Sequence, residues 1–393
     1  MAFHRGPKII TDGLITLYDT ANKKSFKGEP TTNLASNPLI VTSGYVTSSI
    51  ITRASGTYLN FTGEYNAGTI TNTSSSSVGW VARSISGVSG VKYTTSWYLK
   101  AGTITSIRFT WGGGHQGTRS FFTVDLTNGN VSSLTLISGE SYSVDLVNNG
   151  FYKISYSSTL TTTTYYPQID LNSAGFIIFG GIQIEQKSYG SPFVDGTRGA
   201  TVITGGGFKD LSGNGNDGEI FNDPSSEPDG LSFDGSNDYI KTNLTGVFPQ
   251  ITFEFISFFD DPTLSTTSRN ESILGDWQSN RIHFGSRWSV GMHWNVNGSW
   301  NNIPNTNLKY GWNHYVLIWD NINNLKQVYI NNILSDTRGT NGDITLGDFR
   351  IGVATNLNSY YRGKIASFRV YDKPLTTSEI DQNYNTFKPK FNL

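Results

Sequence analysis

The sequence predicts an all-β protein of two domains with one short helix at the C-terminus. Gly (43), Tyr (20), Phe (23) and Trp (9) are abundant beside many Ser, Thr and Asn residues, and this mixture is typical of β-sheets joined by many turns. A chain of 393 residues is too long for one typical hydrophobic core, which favours two domains. Near the C-terminus, a strand pattern is followed directly by a helix start signal.

The elements of one domain lie outside residues 32–197. The first is a strand over 13–19, which a polar turn follows as far as Phe26. A turn-rich loop over 210–218 and two short strands over 231–240, around a Gly-Ser-Asn turn, come next. Alternation of apolar and polar residues predicts further strands; these cover 251–258, 311–319 and 327–334.

The closing segment combines a strand, a stop and a helix. Residues 365–372 alternate between two faces, which predicts a strand that is buried mainly on one face. Pro374 ends this strand because proline cannot donate to a β-ladder. Thr376, followed by Glu379 three residues later, forms a capping-box sequence, so a short helix is expected to begin here.

A second set of strand patterns lies within residues 32–197. Asn128-Gly129 and Asn149-Gly150 supply turn residues that accept a positive φ. These turns separate runs rich in β-branched and aromatic residues. The predicted strands are 93–100, 103–111, 121–126, 131–136, 141–147, 151–157 and 175–186.

The closing segment resembles the end of laminin-G-like, or concanavalin-A-like, lectin domains. With Gln382-Asn-Tyr-Asn385 and a basic-aromatic tail over 388–393, it is most similar to copies in structural proteins of tailed bacteriophages. The stretches 13–26, 210–218 and 231–240 occur in the same order in that family. The resemblance implies a β-sandwich and a virion setting, and it is nearly silent about chemistry.

Residues 93–102, 124–129, 149–155 and 181–185 resemble carbohydrate-binding-module-like jelly rolls that recur in phage head, tail and fibre proteins. In the laminin-G-like family a short loop joins the first two stretches, whereas here the jelly-roll-like segment separates them. We therefore expect an insertion at a loop tip, where insertions are tolerated. The predicted layout is 1–31 for the first strand of the sandwich, 32–197 for the inserted jelly roll and 198–393 for the rest of the sandwich.

The two ends of the outer domain are expected to meet. The ends of such sandwiches commonly lie together, so the strand at 13–19 should lie near the closing strand at 364–372.

Composition argues against several function classes. The net charge of −1 and 15% charged residues do not suit a partner of nucleic acid or of a membrane surface. Without cysteine, disulfides and thiolate metal sites are excluded. No apolar stretch reaches the roughly 18 residues that span a bilayer, and the N-terminus lacks an apolar signal core. These features fit a virion surface protein assembled in the host cytoplasm.

Aromatic and amide side chains are the strongest functional candidates. Exposed aromatic rings stack on the C–H faces of sugars, while amides bond the hydroxyl groups. The alternative is that these tryptophans pack the sandwich core. Trp294 and Trp300 flank an Asn-Gly-Ser turn, which favours partial exposure. The candidate glycan-binding residues are Trp294, Trp300, Asn301, Trp111 and His115.

Catalytic and metal sites find less support. Glycosidases need two acids flanking the bond, and the strand that carries Glu254 has no second acid at alternating spacing. His283 and His293 lie in alternating strand sequence and are expected to be structural or surface residues. Asp210-Leu-Ser-Gly-Asn-Gly begins like an EF-hand loop but lacks the final Glu, so we expect no metal or cofactor, with calcium as the alternative.

Together these observations predict a phage virion surface protein: a decoration, fibre or tail component without enzymatic activity. Other virion proteins and further copies of the chain are its expected partners, and adhesion to host or environmental glycans is a further expected role. The alternative is a polysaccharide depolymerase, a glycosidase on a concanavalin-A-like fold.

Overall fold

The chain divides into two compact units in a computed structural model. The structure describes residues 8–112, 120–199, 201–260, 270–276, 282–287, 291–354 and 359–393. The outer unit consists of Met1–Pro30 and Arg198–Leu393, and the inserted unit of Thr31–Thr197. The predicted layout differs from this division by one residue, at the first boundary. That the inserted unit is an independently folding domain is a proposal, which we return to below.

Almost all regular structure in the described residues is β-strand, as predicted. The first two strands belong to the outer unit and are β1 (Leu14–Asp19) and β2 (Phe26–Gly28). The following strands are β3 (Thr31–Thr32), β4 (Tyr45–Thr47), β5 (Ile51–Tyr58), β6 (Ala67–Asn72), β7 (Gly79–Arg83), β8 (Ile85–Ser86), β9 (Lys92–Ala101), β10 (Ser106–Gly112), β11 (Phe121–Asp125), β12 (Val131–Thr135), β13 (Ser141–Leu146), β14 (Tyr152–Thr159), β15 (Thr164–Leu171), β16 (Gly175–Glu185) and β17 (Thr197–Arg198).

The remaining strands and the α-helix belong to the outer unit. Its strands are β18 (Gly207–Phe208), β19 (Gly218–Phe221), β20 (Ser225–Glu227), β21 (Gly230–Asp234), β22 (Tyr239–Thr242), β23 (Gly246–Phe248), β24 (Gln250–Phe259), β25 (Glu271–Asp276), β26 (Ile282–Arg287), β27 (Gly291–Val296), β28 (Ser299–Asn302), β29 (Gly311–Asp320), β30 (Leu325–Ile330), β31 (Ile333–Arg338), β32 (Ile344–Leu346), β33 (Arg350–Ile351) and β34 (Arg362–Tyr371). The α-helix α1 spans Thr377–Phe391, and short 3₁₀ turns lie at Asn148–Gly150, Val202–Thr204 and Asn305–Asn307.

The outer unit is a sandwich of two large antiparallel sheets. Sheet 1 has the order β20-β21-β34-β24-β29-β30-β31, with β1 also paired to β34, and sheet 2 has the order β2-β18-β19-β22-β33-β25-β26-β27-β28. One hydrophobic core takes residues from both sheets, among them Phe255 and Trp319 from sheet 1 and Phe284 and Trp294 from sheet 2. Alternate residues of each strand enter this core, because successive side chains point to opposite faces of a sheet.

The opening and closing strands of the outer unit pair directly. In the antiparallel register of β1 and β34, Leu14 lies opposite Tyr371 and Asp19 opposite Ser367. The prediction that these distant segments lie together is therefore confirmed.

The C-terminal helix begins where the capping box predicts. Thr376 accepts a hydrogen bond from the Glu379 backbone, and the Glu379 side chain accepts one from the Thr376 backbone. The helix is longer than expected because it continues through the basic-aromatic tail to Phe391, with Pro389 in its last turn. No helix in the described part of the chain is long and apolar enough to cross a membrane.

The inserted unit is a second two-sheet sandwich. One sheet has the order β12-β11-β10-β15-β7-β4, with β8 also paired to β15, and the other has the order β13-β14-β9-β16-β6-β5. Their shared core includes Trp97 and Phe179 from the second sheet and Phe122 and Ile169 from the first. The two sandwiches with one C-terminal helix confirm the predicted fold class.

Candidate functional site

The face of sheet 2 opposite the hydrophobic core carries polar and aromatic residues. Met292, Trp294 and Val296 of β27 enter the core, so His293 and Asn295 between them lie on the other face. Residues directly opposite on paired strands share a face. The pairing places His283 of β26 opposite Asn295, Trp300 of β28 opposite Asn295, and Asn302 opposite His293. We call these residues, His283, His293, Asn295, Trp300 and Asn302, the Trp300 face.

Three rings of this face lie in contact, two of them stacked and the third tilted. The imidazoles of His283 and His293 lie parallel, with centroids 4.5 Å apart. The indole of Trp300 lies 4.9 Å from the His293 ring and 5.9 Å from the His283 ring. Ser272 Oγ lies 2.5 Å from His283 Nε2. Both histidines are buried, whereas Trp300 is 41% exposed, so Trp300 is the accessible member of this aromatic cluster.

Asn295 is the least expected member of this face. It is fully buried, yet neither its side-chain oxygen nor its side-chain nitrogen has a hydrogen-bond partner within the described ranges of the chain. A buried amide without partners destabilises a fold by roughly 1–3 kcal/mol, and such groups are rare in native proteins. An amide can donate and accept at the same time, as a hydroxyl group can. The Asn295 amide thus has the groups that pair with a hydroxyl, but it is enclosed and does not itself reach the surface.

Trp294 does not belong to this face, and the expectation of its exposure is wrong. Its indole is fully buried in the core, with its ring centroid 6.1 Å from that of Trp319. The reason is the register of the hairpin: Trp294 lies opposite Asn301, one row away from the pair of Asn295 and Trp300. One step along a strand reverses the face, so the two tryptophans point in opposite directions.

Asn301 also points into the sandwich. Its Oδ1 accepts a hydrogen bond of 2.6 Å from Lys326 Nζ. This geometry corrects the expectation that Asn301 shares a sugar-binding surface with Trp300.

Lys326 of β30 is a buried cation that sequence reasoning did not single out. Its Nζ also donates to the Trp294 carbonyl oxygen at 3.1 Å and lies 4.6 Å from the centroid of the Trp294 ring. Burial lowers the pKa of Lys326 to about 7, although the negative charge of Asp336 acts in the opposite direction. The sequence does contain a signal for the burial of Lys326. This residue shares one face of β30 with the core residues Val328 and Ile330.

The register also shows how the histidines could have been found. Alternation on β26 and β27, together with a two-residue turn at Asn297-Gly298, fixes which residues share a face with Trp300. The prediction of structural or surface roles for His283 and His293 did not use this register. Neither histidine is a surface residue, since both are buried behind Trp300.

The inserted-unit candidates stay predictions. The backbone of Trp111 lies in β10, opposite Pro167. The side chain of Trp111 and all of His115 lie outside the described residues.

Glu254 is the centre of a buried polar cluster beneath α1. Its carboxylate oxygens bond His314 Nε2 at 2.7 Å, Arg369 Nη1 at 2.9 Å, Tyr371 Oη at 3.1 Å and Asn383 Nδ2 at 2.9 Å. Burial raises the pKa of Glu254, but Arg369 and His314 outweigh burial and lower it to about 2. This carboxylate is fully buried and bonded, so its contacts stabilise the fold.

In the acidic loop at 210–218, the Asp210 carboxylate is occupied by hydrogen bonds from the protein. Asp210 accepts hydrogen bonds from the backbone nitrogens of Leu17, Ser212 and Asn216, and from the Ser212 hydroxyl. Within the described residues, no group of three or more His, Asp or Glu side chains is arranged to hold a metal ion. Calcium binding stays an untested prediction.

Comparison with known proteins agrees with this architecture. Residues 234–381 match the sequence profile of Laminin_G_3, the concanavalin A-like lectin/glucanases superfamily. The match covers less than half of the chain, and this stretch is similar to the members of that superfamily. The matched residues contain the whole Trp300 face and Glu254, His314, Arg369 and Tyr371 of the buried cluster, whereas Asn383 lies beyond them. The resemblance to laminin-G-like lectin domains is thus confirmed for this part of the chain, whereas no match bears on a phage origin.

Solved structures similar to the chain include carbohydrate-related proteins. Domain 4 of a GH43 arabinanase from Geobacillus stearothermophilus, in complex with arabinotriose, is 19% identical, covers 44% of this chain and 91% of its own, and has a TM-score of 0.36. Trypanosoma rangeli sialidase in complex with sialic acid is 12% identical, with 81% of this chain and 60% of the sialidase covered and a TM-score of 0.33.

A Bacteroides ovatus protein described as carbohydrate binding is 12% identical, with 78% of each chain covered and a TM-score of 0.32. No curated protein matches the chain. Because a sialidase and a domain of an arabinanase are among the similar structures, the expectation that this chain has no enzymatic activity is corrected.

Proposed function

We propose that the concanavalin A-like domain binds a glycan on the Trp300 face. The observation that carries this proposal is the 41% exposed indole of Trp300, whose ring lies 4.9 Å from that of His293, in the same row as the buried amide of Asn295, which has no hydrogen-bond partner among the described residues. An exposed indole without a function would be a scattered surface residue. Here it covers a row of buried polar groups, which is the composition of a sugar-binding surface.

The chemistry divides between the ring and the amides. The outer side of the Trp300 indole would stack on the C–H face of a sugar ring. The exposed Asn302 lies opposite His293 at the edge of the same face, and its amide would bond the hydroxyl groups of the sugar. A single shallow contact of this kind binds weakly, and several copies on one particle would raise the affinity by avidity.

An oligosaccharide array with matched variants tests the proposal. Trp300→Ala should abolish binding and leave the fold intact, because a half-exposed side chain contributes little to stability. Tyr310→Ala is the control, since Tyr310 is an exposed aromatic residue of the same unit outside this face. Trp294→Ala should instead destabilise the protein by about 3–5 kcal/mol in urea unfolding.

The outcomes separate clearly. An array without binding by the wild-type protein, or equal binding by wild type and Trp300→Ala, would overturn the proposal. Release of new reducing ends from the bound oligosaccharides decides the catalytic question independently.

We further propose the setting that the closing sequence implies. The chain would be a surface component of a tailed-phage virion, assembled in the host cytoplasm and held by other virion proteins and by copies of itself. The resemblance of residues 360–393 to phage structural proteins supports this setting. Mass spectrometry of gradient-purified particles should find the chain at a fixed ratio to the major virion proteins; its absence from the particles would contradict the proposal.

A further inference from the structure

We propose that Lys326 is a positioning residue for the Trp300 face, and that it holds the strand carrying Trp300 more firmly when its side chain is protonated. This inference rests on the proposed glycan binding. It adds that binding weakens as pH rises through neutrality.

The Lys326 side chain reaches across the sandwich from one sheet to the other. Its side chain starts on β30 of sheet 1 and is 2% exposed. Its Nζ donates to Asn301 Oδ1 of β28 at 2.6 Å and to the Trp294 carbonyl oxygen of β27 at 3.1 Å. One amino group therefore joins sheet 1 to the last two strands of sheet 2.

The position of β28 at the end of sheet 2 makes the contact with Lys326 important. It is the last strand of sheet 2 and pairs only with β27 on that path. Because neighbouring residues of a strand point to opposite faces, the inward hold on Asn301 fixes the outward direction of Trp300. The contact from Arg338 Nη2 to the Asn302 carbonyl oxygen is long, at 3.5 Å. Lys326 thus supplies the shorter of these two side-chain links to β28 from sheet 1.

The charge of Lys326 depends on pH near neutrality. Burial lowers the pKa of Lys326 to about 7, with Asp336 raising it and Arg338 lowering it from the adjacent strand β31. Hydrogen bonds from an ammonium group are roughly twice as strong as those from a neutral donor, and the ammonium group is also attracted to the Trp294 ring. Both interactions weaken when the proton leaves. On the other side of Trp300, His283 and His293 are the titratable groups of the face.

An NMR titration of the indole N–H of Trp300 tests the link without any glycan. Trp300→Phe assigns the signal. In the wild-type protein the signal should shift with a midpoint near the Lys326 pKa of about 7. In Lys326→Met this component should disappear, while any titration from the two histidines persists. Lys364→Met is the control, because Lys364 lies on β34 and pairs with Glu227 and Asp229.

Binding to the oligosaccharide array at about pH 6 and about pH 9 provides the second readout. Wild-type affinity should be about fivefold lower at the higher pH than at the lower pH, after subtraction of any change that Lys326→Met also shows. Lys326→Met should bind weakly at both pH values. Urea unfolding shows whether each variant is folded.

The two proposals fail in different ways. If the array shows no binding at either pH, glycan binding is overturned, and the NMR titration alone decides the positioning role. If the Trp300 signal titrates equally in wild type and Lys326→Met, the positioning role is overturned even when glycans bind.

Discussion

At the residue scale, Glu254 shows how burial redirects a carboxylate from chemistry to stability. It lies on β24, on the face of sheet 1 that faces away from the sandwich core, and α1 supplies Asn383 to its cluster. The neighbouring Phe253 and Phe255 enter the core. An isolated buried carboxylate would be strongly unfavourable. The Arg369 guanidinium and the surrounding donors make the charged form of Glu254 the favoured one.

This cluster predicts how stability depends on acid. The folded-state pKa of about 2 lies below the ordinary value of 4.5, so the unfolded state binds more protons between these values. The stability that Glu254 contributes is therefore complete above pH 4.5 and is lost as pH falls towards 2. Glu254→Gln should remove this part of the acid dependence.

The same substitution should also lower stability at neutral pH by about 3–5 kcal/mol, because Arg369 is left buried without its counter-charge. Urea unfolding at several pH values measures both effects. Glu219→Gln on β19, which is only partly buried, is the control and should change neither. If the stability of Glu254→Gln falls at low pH as much as that of the wild type, other carboxylates govern the acid dependence.

At the element scale, α1 illustrates a boundary that local sequence specifies. Its start depends on the Thr376 and Glu379 side chains, which bond each other's backbone nitrogens. Its end depends on packing: Phe391 lies 4.9 Å from the Trp312 ring, and Arg369 lies 4.1 Å from the Phe387 ring. These contacts extend the helix through a tail that local signals left irregular.

The cap can be tested by substitution. Thr376→Ala should destabilise the protein by about 1 kcal/mol, because the backbone nitrogen of Glu379 loses the Thr376 hydroxyl that accepts its hydrogen bond. Asn385→Ala, at an exposed position within the same helix, should be neutral or slightly stabilising, since alanine has the higher helix propensity. Equal effects in urea unfolding would contradict the role of the cap.

The strand β15 is an element that sequence reasoning missed. It contains Pro167, and proline argues against a central strand. The structure accommodates Pro167 where β15 changes its partner strand. Residues 164–165 pair with β8, and residues 168–171 pair with β7. Pro167 lies between these two ladders on that side. Only the arrangement of neighbouring strands reveals such a gap, so local pattern could not predict it.

At the scale of the whole molecule, the outer unit is assembled from two distant parts of the chain. The β1–β34 ladder joins the parts, and Leu17 donates its backbone N–H to Asp210. Arg198 Nε donates to the Glu29 carbonyl oxygen at 2.7 Å, so the two chain ends from which the insertion departs lie side by side.

Excision of the inserted unit tests its independence. Replacing residues 31–197 by a short Gly-Ser linker should leave an outer unit that unfolds cooperatively, because the described residues of its core all belong to the outer unit itself. The excised segment should fold alone on its own core. Circular dichroism and urea unfolding of both pieces check this. A disordered outer unit would show that it needs the insertion to fold.

The sequence by itself determined the strands with clear alternation, the cap of α1 and the split of the outer unit, because alternation, capping and turn residues act over a few positions. It also indicated the hairpin that carries Trp300. Only the tertiary structure decided that Trp294 is core while Trp300 is accessible, that Asn301 turns inward to Lys326, and that His283 and His293 gather beneath Trp300. These outcomes depend on the register between strands and on what the opposite sheet places across the sandwich, and local sequence does not encode either directly.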